Sequence, residues 1–168
     1  MDFGILLARL VLGLMMAAHG SQKLFGWFGG HGISGTAGFF EALGFRPGRL
    51  FAAAAASAEL LGGLLVASGL LGPIGNALMI AVMIVAAGSV HWRNGVFAGS
   101  NGVEVPLLYA AGAAALALTG PGAYSLDRLL GLSAAWTPAV VWGALFLGIA
   151  GAAVNLALRH PTPATTMA

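Results

Sequence analysis

Residues 50–71 read LFAAAAASAELLGGLLVASGLL, an apolar run broken by one charge, Glu59, close to its middle. About 20 predominantly apolar residues cross a hydrocarbon core of roughly 30 Å as a helix, so this run is long enough to span a bilayer. The rest of the chain has the same character. Of its 168 residues 59% are hydrophobic and 7% charged, with a mean hydropathy of +0.93, whereas a soluble domain carries about 25% charge. A chain this small has too few polar groups to cover its surface in water, and lipid is the solvent that fits.

Upstream of this run, Phe3 to about Leu24 is apolar apart from Arg9, His19, Ser21, Gln22 and Lys23. It spans if Arg9 and Lys23 reach toward its edges. No basic leader precedes it and no clear cleavage site follows, so it is expected to be a retained helix. Residues 25–49, FGWFGGHGISGTAGFFEALGFRPGR, mix glycine with interfacial aromatics. Thr36 to Leu43 is expected to form a short helix lying on or dipping into the membrane surface. Pro47 is expected in the turn before the next span or in its first helical turn.

Downstream, residues 72–75, GPIG, read as a tight turn. Residues 76–92 make a third span ending in His91 and Trp92, with Arg93 next, and residues 94–103 are a Gly, Asn and Ser loop. A fourth span runs from Glu104 to about Leu118. After the stop at Thr119-Gly120-Pro121-Gly122, AYSLDRLLG at 123–131 reads as a short interfacial helix that Ser125 caps. Pro138 opens a last apolar run to Leu158. The tail HPTPATTMA, from His160 onward, is expected to be disordered or an expression remnant. The expected fold is therefore all-α, a polytopic transmembrane helical bundle of four or five spans in one membrane domain covering residues 1–168.

Few charges remain to direct topology. Lys23, Arg46, Arg49, Arg93 and Arg159 fall on one side of a five-span bundle, and of the loop basic residues only Arg128 falls on the other. The positive-inside rule then places the N-terminus outside and the C-terminus in the cytoplasm of a multi-pass inner-membrane protein. The net charge of +2 and the lack of a basic aromatic patch exclude nucleic acid as a partner. The absence of cysteine excludes a disulfide framework and a thiol relay within the chain. No HxxxH or HxH spacing suggests a metal centre. Gly62, Gly63, Gly69 and the alanines at 52–56 favour close helix packing.

Ionisable groups inside the spans are the candidate site. A charge in hydrocarbon costs roughly 2.5–3.5 kcal/mol on insertion scales, so it needs a partner or a polar cavity. Residues 50–90 contain no charge but Glu59, so its partner comes from another span or it is protonated. Arg9 and Lys23 are the basic candidates in the first span, and an Arg9–Glu59 pair is sterically reasonable. His19 and Lys23 are four apart and share a face. Arg9, Met16 and Lys23, spaced by sevens, lie on the same side. The two readings are an ion pair that fixes registry and a buried site for a polar or redox-active small molecule. His91, Glu104, Asp127 and Arg128 lie at helix ends, where anchoring and capping account for them.

Arg9, His19-Gly20, Lys23-Leu24, Thr36, Phe39-Phe40, Glu59-x-x-Gly62-Gly63, Gly69, Gly72, His91, Gly95, Glu104 and the Gly120-Pro121-Gly122-x-Tyr124-Ser125-Leu126-Asp127 element stand in an order that resembles the DoxX family of small bacterial membrane proteins. The resemblance covers about residues 4–130. It implies a four-helix core in the bacterial cell membrane, to which residues 137–158 add a fifth transmembrane helix, and a membrane partner of redox proteins linked to quinone chemistry.

The chemistry follows from the ring. A quinone has two carbonyl oxygens, and its reduction needs a proton donor near each and apolar walls. His19, Lys23 and Glu59 are the expected catalytic groups, in a polar pocket between the first two spans. Arg9, Phe25, Trp27, Phe39 and His91 are expected to bind the cofactor, and Phe28 is a further candidate wall. With no cysteine pair and no nucleotide fingerprint, electrons come from a soluble or membrane redox partner. The alternatives are a small-molecule or lipid transporter and a scaffold anchoring soluble redox enzymes. A homo-oligomer in membrane lipid is compatible with each.

Overall fold

Backbone N–H and C=O groups inside lipid must be satisfied within the chain, so the apolar runs fold as helices. The computed structural model describes residues 1–160. The helices among them are α1 (Asp2–Phe25), α2 (Gly32–Ala42), α3 (Gly48–Ser68), α4 (Pro73–Ala86), α5 (Glu104–Thr119), α6 (Leu126–Leu129) and α7 (Pro138–Ala157). Residues 161–168, most of the expected tail, lie outside the described residues. Four helices are long and apolar enough to cross a membrane: α1, α3, α7, and α4 with its continuation to Asn94. α5 is apolar but shorter, at 16 residues.

Local chemistry sets the boundaries. Gly26 ends α1 in the left-handed conformation, at φ 76°, and Gly69 ends α3 in the same way, at φ 65°, a region that costs glycine little. The turn expected at GPIG falls earlier, over Gly69 to Gly72. Helix α4 begins at Pro73 itself, because proline's fixed φ suits a first helical position whose N–H has no helical partner. Pro138 starts α7 likewise, with the Thr137 hydroxyl accepting from Val140 N. Helix α2 starts at Gly32, four residues before the sequence expectation.

Helices α1 and α3 run antiparallel in backbone contact. A Cβ added at Gly13 would lie 2.5 Å from Ala67 N, at Gly20 2.4 Å from Leu60 N, and at Gly63 2.5 Å from Ala17 N. Small residues are what let membrane helices approach this closely. No space for a ligand remains along this seam, so the pocket expected between the first two spans does not lie there. Met16 and Val66 close the seam, and the same core holds Met79, Ile80 and Met83 of α4, Leu116 of α5 and Leu145 of α7. Helix α7 meets α4 where Gly148 faces the Ala77 carbonyl, 2.7 Å from the position of a Cβ.

Helix α2 covers the start of α3 through Phe40, Phe45 and Ala52. The Thr36 hydroxyl donates to the Lys23 carbonyl at 3.2 Å. Arg159, just past α7, donates from Nε to the Leu43 carbonyl at 2.6 Å, with its guanidinium carbon 6.0 Å from the centre of the Phe45 ring. Helix α4 does not end cleanly. Ala87–His91 form a π turn and Trp92–Asn94 a 3-10 turn. The loop that follows is ordered by its own bonds: Glu104 N reaches Val96 O at 2.8 Å, and the Glu104 carboxylate accepts from Ala98 N at 2.7 Å.

Candidate functional site

Glu59 lies about 16 Å along α3 from Gly48, at 1.5 Å per residue. Its side chain is 1% exposed and that of Lys23 34%. Lys23 Nζ donates to Glu59 Oε1. The expected Arg9–Glu59 pair is not formed, and the seam explains why. Gly20 lies against Ala56 and Leu60, and Gly13 against Gly63 and Ala67, so Glu59 is level with the last turns of α1. Arg9 sits about 21 Å away along the same helix.

Glu59 Oε2 is buried and has no hydrogen-bond partner among the described residues. Glu59 and Lys23 line a cavity of about 420 Å³ together with Phe39 and Phe40 of α2, Phe51 of α3, Ser89 and His91 of the π turn, and Asn155 of α7. π turns inserted in α-helices are frequent at functional sites, because the extra residue displaces backbone and redirects side chains. Here the turn forms the cavity wall. The Ser89 hydroxyl donates back to Val85 O at 2.6 Å. His91 Nδ1 is 2.8 Å from the Asn101 carbonyl; a carbonyl only accepts, so Nδ1 donates and a neutral ring keeps Nε2 as an acceptor.

Four of the eight residues expected at the site, Lys23, Glu59, Phe39 and His91, share this cavity. The other four lie elsewhere. His19 is exposed, with Nδ1 3.2 Å from Gln22 Oε1 and its ring edge-on to Tyr109 of α5, centroids 6.2 Å apart. Phe25 and Trp27 are exposed and lie against each other, centroids 5.0 Å apart, beyond the end of α1. Phe28, also exposed, stands edge-on to Trp27. The sequence reading missed Phe40, Phe51, Ser89 and Asn155. Asn155 did carry a signal, as the lone amide in the otherwise apolar α7.

A family model described as DoxX matches residues 4–92, just over half of the chain. The chain belongs to the DoxX family. The matched DoxX region ends at Trp92 and so contains Lys23, Phe39, Glu59 and His91, while Asn155 and the Tyr124–Asp127 element lie beyond it. Membership fits a multi-pass protein of the bacterial inner membrane. No curated protein and no solved structure matches the chain.

Arg9, also in the DoxX-matched region, belongs to a second polar cluster at the opposite end of the bundle. Its guanidinium donates to the carbonyls of Val66 at 3.2 Å, Ala67 at 3.2 Å, Tyr124 at 2.9 Å and Pro121. The first two are last-turn carbonyls of α3, where a cation also meets the negative end of the helix dipole. Asp127 is fully buried. Its carboxylate accepts from Leu71 N at 2.9 Å and Gly72 N at 2.6 Å, fixing the turn that starts α4. Ser125 is the N-cap of α6: its hydroxyl accepts from Arg128 N at 3.2 Å and donates to Gly122 O at 2.7 Å. Replacing Ser125 with Ala is expected to lower stability by about 1 kcal/mol, read as a small drop in thermal midpoint in detergent.

Proposed function

We propose that this protein is the membrane subunit of a redox system and holds a quinone-type ring in the cavity bounded by α2, α3, α7 and the π turn. The observation that carries the reading is the orphaned Glu59 Oε2 on an ion-paired carboxylate lining a largely apolar cavity. A volume of about 420 Å³ falls in the range of small-molecule sites, roughly 300–1,000 Å³. Phe39, Phe40 and Phe51 supply flat walls. Lys23 keeps N–H groups beyond the one given to Glu59 and offers them to a ring carbonyl, while Glu59 Oε2 accepts from a ring hydroxyl. When bound, the ring supplies the electron chemistry. The chain contains no cysteine, and electrons enter or leave through a redox partner.

The reading carries a topology. Helix α5, about 24 Å long at 1.5 Å per residue, crosses as a fifth span with its ends drawn in, a mismatch that bilayers accommodate by thinning. Lys23, Arg46, Arg49, Arg93 and Arg159 then face the cytoplasm, and the N-terminus lies outside. The chain is one membrane domain, a core of residues 4–130 with α7 added, and α7 closes the ring site on its open side.

Saturable binding of a short-chain quinone by the purified full-length chain in lipid nanodiscs tests the proposal. Ala55 lines the same cavity, and Ala55→Phe is expected to fill it, abolishing that binding while the protein still elutes as the wild type does. Wild-type protein that binds neither the quinone nor its reduced diphenol, or an Ala55→Phe variant that binds as well as wild type, overturns the reading.

A further inference from the structure

We infer that the cavity selects its ligand by the hydrogens the ligand donates, and that Asn155 of α7 is its second polar contact. The inference rests on the reading of the cavity as a site for a quinone-type ring, and it narrows that class to the reduced, diphenol form.

Two oxygens in the lining are buried without a hydrogen-bond partner, Glu59 Oε2 and Asn155 Oδ1. Both are acceptors. The Glu59 carboxylate is paired with Lys23 through Oε1 and leaves Oε2 as an open acceptor, and the Asn155 amide leaves its own oxygen without a partner. An acceptor left unpaired in an apolar surround forfeits about 1–3 kcal/mol, more when charged. A ring carrying carbonyls accepts from Lys23 but leaves both of these oxygens unpaired. A ring carrying two hydroxyls satisfies both oxygens at once, and the phenylalanine walls favour a ring over an aliphatic diol. The Glu59 contact is the stronger, since bonds to a charged group are roughly twice as strong as neutral ones. The Asn155 contact lies outside the DoxX-matched residues, on α7. That helix is held in place by Gly148 against α4 and by Arg159 on the end of α2, so Asn155 is presented by an anchored element.

The test compares three probes that share one ring: tetramethylhydroquinone, tetramethylquinone and the hydroquinone's dimethyl ether. Calorimetry is run without oxygen on the full chain in nanodiscs. The diphenol is expected to bind at least about tenfold more tightly than either of the others, the size of one good hydrogen bond to a charged acceptor. Asn155→Leu, which keeps the side chain's bulk and removes the amide, is expected to weaken the diphenol severalfold and leave the quinone and the ether within about twofold. Equal or tighter binding of the quinone overturns the inference and leaves the ring site standing. A diphenol preference unchanged in Asn155→Leu overturns the role of Asn155. Failure of all three probes to bind overturns both the inference and the reading beneath it.

Discussion

Replacing Arg9 with Ala is expected to destabilise the protein by about 3–5 kcal/mol, the scale of several carbonyls left without a donor at about 1–3 kcal/mol for each buried one. Four carbonyls, on Val66, Ala67, Pro121 and Tyr124, lose their shared donor. Two of them end α3, and two belong to the loop that leads from α5 to α6, so one side chain ties three parts of the chain. For a protein of this size that loss corresponds to a fall of roughly 10 °C in thermal midpoint, measured by near-UV circular dichroism in mild detergent. Arg9→Lys is expected to recover less than half of it. An ammonium carries its three donors on one nitrogen, whereas the guanidinium spreads five over a planar fork. Quinone or diphenol affinity in Arg9→Lys should stay near wild type, because position 9 lies about 21 Å along the α1 axis from Lys23. An Arg9→Ala variant as stable as wild type that has lost ligand binding would show that Arg9 serves the ligand rather than the fold.

The long apolar helices were legible because each rests on one local property, a sustained apolar run. Pro138 to Leu158 announced α7 without any help from the family pattern, and Glu104 to Leu118 located α5 to within a residue. What went astray was local competition that composition does not rank. Gly72-Pro73-Ile74-Gly75 contains the residues of a turn, yet Pro73 is also a good first residue of a helix, and the reversal before it already used Gly69 and Gly72. Gly32 and Ile33 were read as loop because of the glycines around them, although α2 buries Thr36 and Phe40 on one face and needs its first turn to support them. The π turn at Ala87–His91 has no marker in AGSVH that separates it from ordinary helix.

The site was half legible for a related reason. Spacing by sevens placed Arg9, Met16 and Lys23 on one side of α1, but periodicity assigns a face and says nothing of depth. Depth is set by which turn of α3 each turn of α1 meets. Gly13, Gly20 and Gly63 fix that by permitting backbone contact at three heights. Once Gly20 lies against Ala56 and Leu60, Glu59 can reach Lys23 and not Arg9. The same contact removes the space in which a pocket between the first two spans was expected. The cavity opens instead where α2, α4 and α7 stand off from α3, and its residues come from segments too far apart in sequence to be associated by motif.

The Lys23–Glu59 pair is expected to respond asymmetrically to loss of either partner. Lys23→Met leaves a carboxylate that is 1% exposed without its counter-charge, an arrangement that costs about 3–5 kcal/mol. Glu59→Gln leaves an ammonium that is 34% exposed on a flexible stem able to carry it to water, so its cost should be about 1 kcal/mol. The double variant Lys23→Met with Glu59→Leu should be more stable than Lys23→Met alone, since apolar groups of similar volume replace buried pairs at little cost. A double-mutant cycle of Lys23→Met, Glu59→Leu and the double variant, read by thermal or denaturant unfolding in detergent, gives the coupling between the two positions, and equal losses in Lys23→Met and Glu59→Gln would contradict the asymmetry. The same variants separate fold from function. Glu59→Gln is nearly as stable as wild type on this account, yet it exchanges the charged acceptor for a neutral amide, and its diphenol affinity should fall by about tenfold. A stable Glu59→Gln protein with full affinity would mean that the carboxylate serves only to hold Lys23 in place.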